Sequence, residues 1–476
     1  MAYLTLLAAV LFASCTCSGS RGGEGDAHWS EASLQDYPDA PIPWDGPICG
    51  NNIVESPEEC DDGGRRDCDG CDRNCRLEIE GCGREDGAAD AGDGAGDGDV
   101  AESPGPPGTP EPAGDVVPVE TPEGESTLVD RYLNLRVIWT GRSFAVMYRL
   151  WCPSGDSHCL GMTRFDREGV VLSPVWIYEP VEREITDFDF CWNGNGFGVV
   201  WADNPSAYVL LLNSDGKPIK GPVRICDGCL AFLEGPGFVG SPRIGCGEEA
   251  YLVGYNVTVE PWVTWRWLQG LSGQLDLLDG GFIGQSSLNA VTRIFSHAGA
   301  WRIVHSTKTI DTFPEAAHTF ALDALTTGLD YEWRSLLSWS NPHYVDYDVL
   351  GDEAAIAYSG SGEDYTLARL DLDDGAMRHQ FPLSKTAVQI ASIGEGRIAA
   401  LGLVVSCHGE GSDCCMLSVL DETGLESGGV EISCGSPGRC GDFPYDLVWT
   451  GSELGVVTAF EATGGGCRFF LQRFVP

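Results

Sequence analysis

A strand–turn–strand unit that returns about every 50 residues through the C-terminal three-quarters of the chain is the strongest constraint on its fold. Its clearest copies are Val137-Ile138-Trp139-Thr140-Gly141, Phe190-Cys191-Trp192-Asn193-Gly194 and Leu447-Val448-Trp449-Thr450-Gly451, each followed by a second apolar run. Weaker copies centre on Gly247, Gly299, Gly351 and Gly394. A second marker alternates with the first, an apolar run ending in an Asp or Asn turn and a glycine, at residues 165–169, 212–216, 370–375 and 420–424, with looser versions at 271–273 and 322–328. Each repeat therefore holds two hairpins, or four strands, and no stretch shows the 3.6-residue period of a helix. Four-stranded sheets that are apolar on both faces must cover each face with a neighbour. Seven of them do so as a closed ring, so the expectation for residues 126–476 is an all-β, seven-bladed β-propeller. The seventh repeat stops one strand short, with strands near 445–450, 455–459 and 467–474, and residues 126–130 are expected to supply the missing strand and close the ring.

The N-terminal quarter has a different composition. Residues 83–125 are mostly Gly, Ala, Pro, Asp and Glu, which bury too little apolar surface to offset ordering entropy, so a disordered acidic linker is expected there. Residues 15–45 read as a second low-complexity tether. Between them, residues 46–82 carry six cysteines, Cys49, Cys60, Cys68, Cys71, Cys75 and Cys82, in a segment too short for a core of its own. The pieces Cys49-Gly50-Asn51, Glu59-Cys60-Asp61-Asp62-Gly63, Asp69-Gly70-Cys71 and Asn74-Cys75-Arg76-Leu77-Glu78 occur in order. They resemble the cysteine-rich repeat family of unknown function that is abundant in secreted proteins and lipoproteins of myxobacteria and related bacteria. Asn52, Gly64 and the additional Cys68 depart from that family's pattern. Residues 1–14 form an apolar run ending Ala13-Ser14 before Cys15, and this resembles a bacterial lipoprotein signal in which Cys15 is acylated. An ordinary cleaved signal is the alternative, and either one implies export. The resemblance implies a lipid-anchored protein of the outer membrane or cell surface, otherwise a secreted one.

The cysteine count fits an oxidising compartment. Apart from Cys15 and Cys17, six cysteines lie in the small module and twelve in the repeat region, both even numbers. Cys152 with Cys159 and Cys407 with Cys414 share a spacing and a place, the loop between second and third strands of repeats one and six. The remaining pairs are read as Cys434 with Cys440, Cys226 with Cys229, Cys191 with Cys246 and Cys415 with Cys467. Cys226-Asp227-Gly228-Cys229 also has the spacing of a redox pair, without the βαβ context such a pair usually has.

Acidic residues outnumber basic ones 71 to 29, a formal charge of -42, which repels phosphate backbones and removes nucleic acid as a partner. The longest apolar run is shorter than the roughly 20 residues of a membrane-crossing helix, so membrane contact is expected through the lipid alone. A monomer is expected.

Three places carry candidate chemistry. Asp189, Asp346 and Asp446 each stand five residues before the turn glycine, in the first strands of repeats two, five and seven. First strands surround a propeller's axis, so these carboxylates can converge there, either around a metal or cationic ligand or in hydrogen bonds between blades. Arg136 holds the same position in repeat one. Trp262, Trp265 and Trp267 form an aromatic patch in repeat three suited to sugar or peptide contact, or to packing between blades. Asp61, Asp62, Asp67 and Asp69 crowd one loop of the small module, where they can bind calcium or simply be solvated. Calcium is thus the one cofactor the sequence suggests. No H-E-x-x-H, G-x-S-x-G or P-loop pattern occurs. Two functions fit: a binding or scaffold module for a protein or carbohydrate ligand, and an extracellular lyase or glycosidase acting on polysaccharide.

Overall fold

The computed structural model describes residues 109–119 and, between 135 and 476, the strands with many of their connecting turns. The signal segment, Cys15 and the cysteine-rich module with its candidate calcium ligands lie outside the described residues, as do residues 126–130.

Every described element is a strand, and the strands form seven antiparallel sheets. The first sheet consists of Leu135–Trp139, Ser143–Trp151, His158–Asp166 and Val171–Tyr178, each paired with the next in sequence. Five more four-stranded meanders follow the same plan, and the last sheet contains Tyr445–Trp449, Leu454–Glu461 and Cys467–Val475. The seven first strands are Leu135–Trp139, Asp187–Trp192, Phe238–Cys246, Thr292–His297, Val345–Leu350, Thr386–Gly394 and Tyr445–Trp449. Each lies against the first strand of the next sheet, and the seventh lies against the first, so the sheets close around one axis. These seven sheets form a β-propeller, the architecture that the repeat pattern implied.

Where they are described, the second strands are buried on both faces, which explains why they look continuously apolar rather than alternating. In Ser143–Trp151 the first eight residues are buried. Phe144, Val146, Tyr148 and Leu150 join a core with Val457, Ala459, Phe469 and Leu471 of blade seven, while Ala145 and Met147 join one with Phe197, Val199 and Trp201 of blade two. Large side chains on one blade meet small ones on the next. A Cβ at Gly198 would stand 2.9 Å from the Tyr251 ring, and one at Gly455 would collide with Phe144. The first hairpins close through glycines with left-handed backbone, Gly141 at φ 87°, Gly194 at 93° and Gly451 at 95°.

The ring is closed by a segment other than the one expected. Glu111–Pro112 and Val117–Pro118 pair antiparallel with Cys467–Val475, in registers Pro112 to Phe474 and Pro118 to Phe470. The closing strand thus comes from within the tract read as disordered linker, and that reading is corrected for residues 111–119. Two prolines fit because the strand is an outer edge, where a missing donor costs little. The residues after them donate instead, Ala113 N–H to Arg473 O (2.8 Å) and Val119 N–H to Phe469 O (2.9 Å). Val119 is buried in the core shared by blades seven and one, with Val117 packed against it. Arg473 fastens the segment, donating to Ala113 O (3.2 Å), Arg167 O (2.6 Å) and Glu453 Oε2 (3.1 Å).

Cys152 and Cys159 are bonded across the loop expected for them, and Cys191 and Cys246 join the first strands of blades two and three, with Cα atoms 5.6 Å apart. Cys226 and Cys415 are each disulfide-bonded as well. The pairings of Cys407 with Cys414 and of Cys434 with Cys440 lie outside the described residues.

Candidate functional site: a ring of one side chain per blade

Each first hairpin fixes a reference point, the residue that opens its turn. Thr140, Asn193, Gly247 and Thr450 donate their N–H across the turn to Ser143, Gly196, Ala250 and Glu453. Four residues earlier stand Arg136, Asp189, Arg243 and Asp446. In blades four and five the pairs His297 with Ala300 and Leu350 with Glu353 close the same turn, which places Arg293 and Asp346 at the equivalent position. Blade six has a register shift between Ser392 and Gly394, and Gln389 takes the place. All seven side chains line a single axial cavity, together with Tyr347. Around the axis the order is Arg136, Asp189, Arg243, Arg293, Asp346, Gln389, Asp446: three cations, three carboxylates and one amide.

Asp189, Asp346 and Asp446 therefore do converge, and each also ties its blade to the next. Asp189 Oδ2 accepts the Ile244 N–H (3.1 Å), Asp346 Oδ2 the Ile390 N–H (2.8 Å) and Asp446 Oδ2 the Val137 N–H (2.8 Å). Asp348 does the same for Ser392 N–H (2.5 Å). One oxygen of each carboxylate is thus committed to blade contacts, and the positive charge in the ring belongs to the protein's own arginines. Among the described residues no group of three or more His, Cys, Asp or Glu is arranged to hold a metal ion.

The three arginines differ. Arg243 is largely buried and donates to Asp187 Oδ2 (3.3 Å) and to Pro242 O (2.6 Å). Behind it Arg266 is fully buried and donates to Ser241 O (3.1 Å); burial, and then the Arg243 charge, push it down to about 9. Arg293 is 55% exposed in its side chain and meets Asp348 Oδ1 only at 3.6 Å. The side chains of Arg136, Arg293 and Gln389 make no hydrogen bond among the described residues. Burial opposes the charge on Arg136, but Asp446, Asp189, Asp187 and Asp346 outweigh it and keep the guanidinium protonated; Asp348 and Asp346 act likewise on Arg293.

Burial also governs the carboxylates. It raises Asp346 to about 7, against the Ile390 N–H and Arg293, which favour the charged form, while Asp446 adds to the rise. Burial raises Asp348 and Asp446 too, opposed chiefly by Arg293 at the first and Arg136 at the second.

Gln389 stands five residues before Gly394, on the same count as the aspartates, but Arg243 and Arg293 escape alignment on the turn glycine because that glycine is not at one fixed turn position. It opens the turn in blade three, where Gly247 replaces Thr140, and falls one residue late in blade four, where Gly299 follows the residue after His297. Counting from the turn-opening residue would have found both arginines. The aromatic patch is split: Trp267 packs against the core between blades two and three, whereas Trp262 and the side chain of Trp265 lie outside the described residues.

A second cavity, of about 380 Å3, opens between blades five and six beside Glu353, Arg369, Arg378 and Arg397. Its arginines are held by the protein: Arg369 pairs with Glu353 and donates to Gly396 O (2.8 Å), and Arg378 donates to Glu353 (2.6 Å) and Asp371 (2.5 Å).

The fold and ring define the class of protein, a β-propeller with a polar axial site. No family model matches the chain. No curated protein matches it either. Among solved structures, it is similar to the propeller domain of the trilobed protease from Pyrococcus furiosus, 11% identical over 73% of this chain and 94% of that one, with a TM-score of 0.42. The phage phi92 endosialidase is 9% identical, with 76% and 69% covered and a TM-score of 0.44. The Dos1 propeller is 8% identical, with 78% and 94% covered and a TM-score of 0.36. These likenesses are of fold.

Proposed function

We propose that the chain is an exported, lipid-anchored protein of the cell envelope whose propeller is a binding or scaffold module, its ligand entering the axial ring. The observation that carries the reading is the ring itself: seven blades converge one polar side chain each, and Arg136, Arg293 and Gln389 carry side-chain donors with no hydrogen-bond acceptor among the described residues. The export signal, the lipidated Cys15 and the cysteine-rich module at residues 46–82 supply the anchor and spacer in this reading. Hydrogen exchange on the full-length protein in detergent, with and without an extract of envelope polysaccharide and protein, tests it. Slower exchange in peptides spanning Leu135–Trp139 and Thr292–His297 is expected; unchanged exchange on every first strand would contradict it.

One observation favours the second reading, a polysaccharide lyase or glycosidase. Asp346, raised to about 7 beside Asp446, has the protonation behaviour of a general acid near neutrality. Release of new reducing or unsaturated ends from polysaccharide, lost in Asp346→Asn, would establish that reading over the first.

A further inference from the structure

We infer that the axial ring recognises a carboxylate group, held by the Arg136 and Arg293 guanidiniums with the Gln389 amide beside them. This rests on the binding-module reading and names the chemistry of its ligand, and its sign is opposite to that of a metal or cationic ligand held by the three aspartates.

Hydrogen-bond accounting leads to this conclusion. A guanidinium carries five N–H donors and an amide two; among the described residues the side chains of Arg136 and Gln389 donate no hydrogen bond, and Arg293 has only its 3.6 Å approach to Asp348 Oδ1. The aspartates have already given Oδ2 to Ile244, Ile390 and Val137 of the following blades. What remains unspent at the axis is therefore rich in donors, and the partner it fits is an acceptor. Arg293 is the accessible member, more than half exposed where Arg243 is almost covered. The free space within the ring is about 30 Å3, room for the tip of a ligand rather than its body. A planar carboxylate fits both that space and the fork of a guanidinium, which binds it through two parallel hydrogen bonds. The aspartates balance the arginine charge without using up the N–H groups. Asp346, with its pKa near 7, is partly uncharged at neutral pH, which lessens repulsion of an incoming anion.

A carboxylate can come from a sugar acid or from a small organic acid. Calorimetric titration of the full-length protein with D-galacturonate, L-lactate and D-galactose separates these sources. The expected result is saturable one-to-one binding of at least one carboxylate and none of galactose. Tighter binding of galacturonate than of lactate assigns the sugar acid, and the reverse assigns the small acid. Arg293→Gln and Arg136→Gln should each weaken binding tenfold or more, and Arg293→Lys, which keeps charge but loses the fork, should weaken it by less. Gln389→Leu is the control for folding, since that side chain has no hydrogen-bond partner among the described residues; it should weaken binding while leaving the melting temperature in place. Saturable binding of galactose equal to that of galacturonate, no binding of either acid, or unchanged affinity in Arg293→Gln would overturn the inference. If neither acid binds while envelope extract still protects the first strands from exchange, the module reading stands and the carboxylate assignment falls.

Discussion

Asp446 and Val137 show at the scale of a residue how the ring is held. Their side chain to backbone bond spans 309 positions of sequence and joins the last blade to the first. Asp446→Ala leaves the partly buried Val137 N–H without its acceptor, and a loss of about 1–3 kcal/mol in unfolding free energy is expected, read by chemical denaturation. Asp446→Asn, which keeps an acceptor oxygen, should cost less. Asp346 predicts a pH dependence whose sign follows from its shift. Its folded value of about 7 lies above the ordinary 3.8, so its contribution to stability is fully present below about 4 and is lost as pH rises through about 7. The groups facing it are the Ile390 N–H, Arg293, Arg136 and Asp446, and the upward shifts of Asp446 and Asp348 act in the same direction. The melting temperature should therefore rise as pH falls from 8 to 6, and Asp346→Asn should flatten that slope. These carboxylates were legible in the sequence because they fall on one count from a conspicuous turn. Whether they bind a ligand or tie blades was not, because the deciding partner is a backbone N–H of another repeat that no spacing records.

Among the elements, the second strands and the closing strand contrast. Gly455 in Leu454–Glu461 sits under the Phe144 ring, so Gly455→Ala forces two well-packed blades apart and should cost about 1–3 kcal/mol. The repeat pattern made such strands readable, because each carries its own turn and its own apolar run. The closing strand has neither. Its apolar content is Val116-Val117-Pro118-Val119 inside a Pro- and Glu-rich tract, and its neighbour in space is the far end of the chain. Composition averaged over residues 83–125 concealed it, although Val119 is buried in the core and Val117 packs against it. Val119→Asp should loosen the last blade, seen as faster hydrogen exchange in Cys467–Val475 with the axial strands of blades two and three unchanged. The Cys152–Cys159 staple was readable for the opposite reason, since its loop is local and its partner lies seven residues away.

For the molecule as a whole, closure and site are one arrangement. Seven sheets around an axis bring seven equivalent positions together, and the N-terminal segment completes the seventh sheet, so a tether ahead of residue 109 would attach at the seam of the ring. Cys191–Cys246 joins two axial strands and closes a 55-residue separation; replacing both cysteines by serine should cost roughly 2–4 kcal/mol, read from the denaturation midpoint under oxidising conditions. A crystal structure of the full chain tests the central claim most directly. It should show seven sheets about one axis, residues 111–118 paired on Cys467–Val475, and Arg136, Arg293 and Gln389 facing the channel. A stack of two facing sheets, or a ring whose seventh blade is completed by some other segment and whose three side chains turn away from the axis, would contradict it.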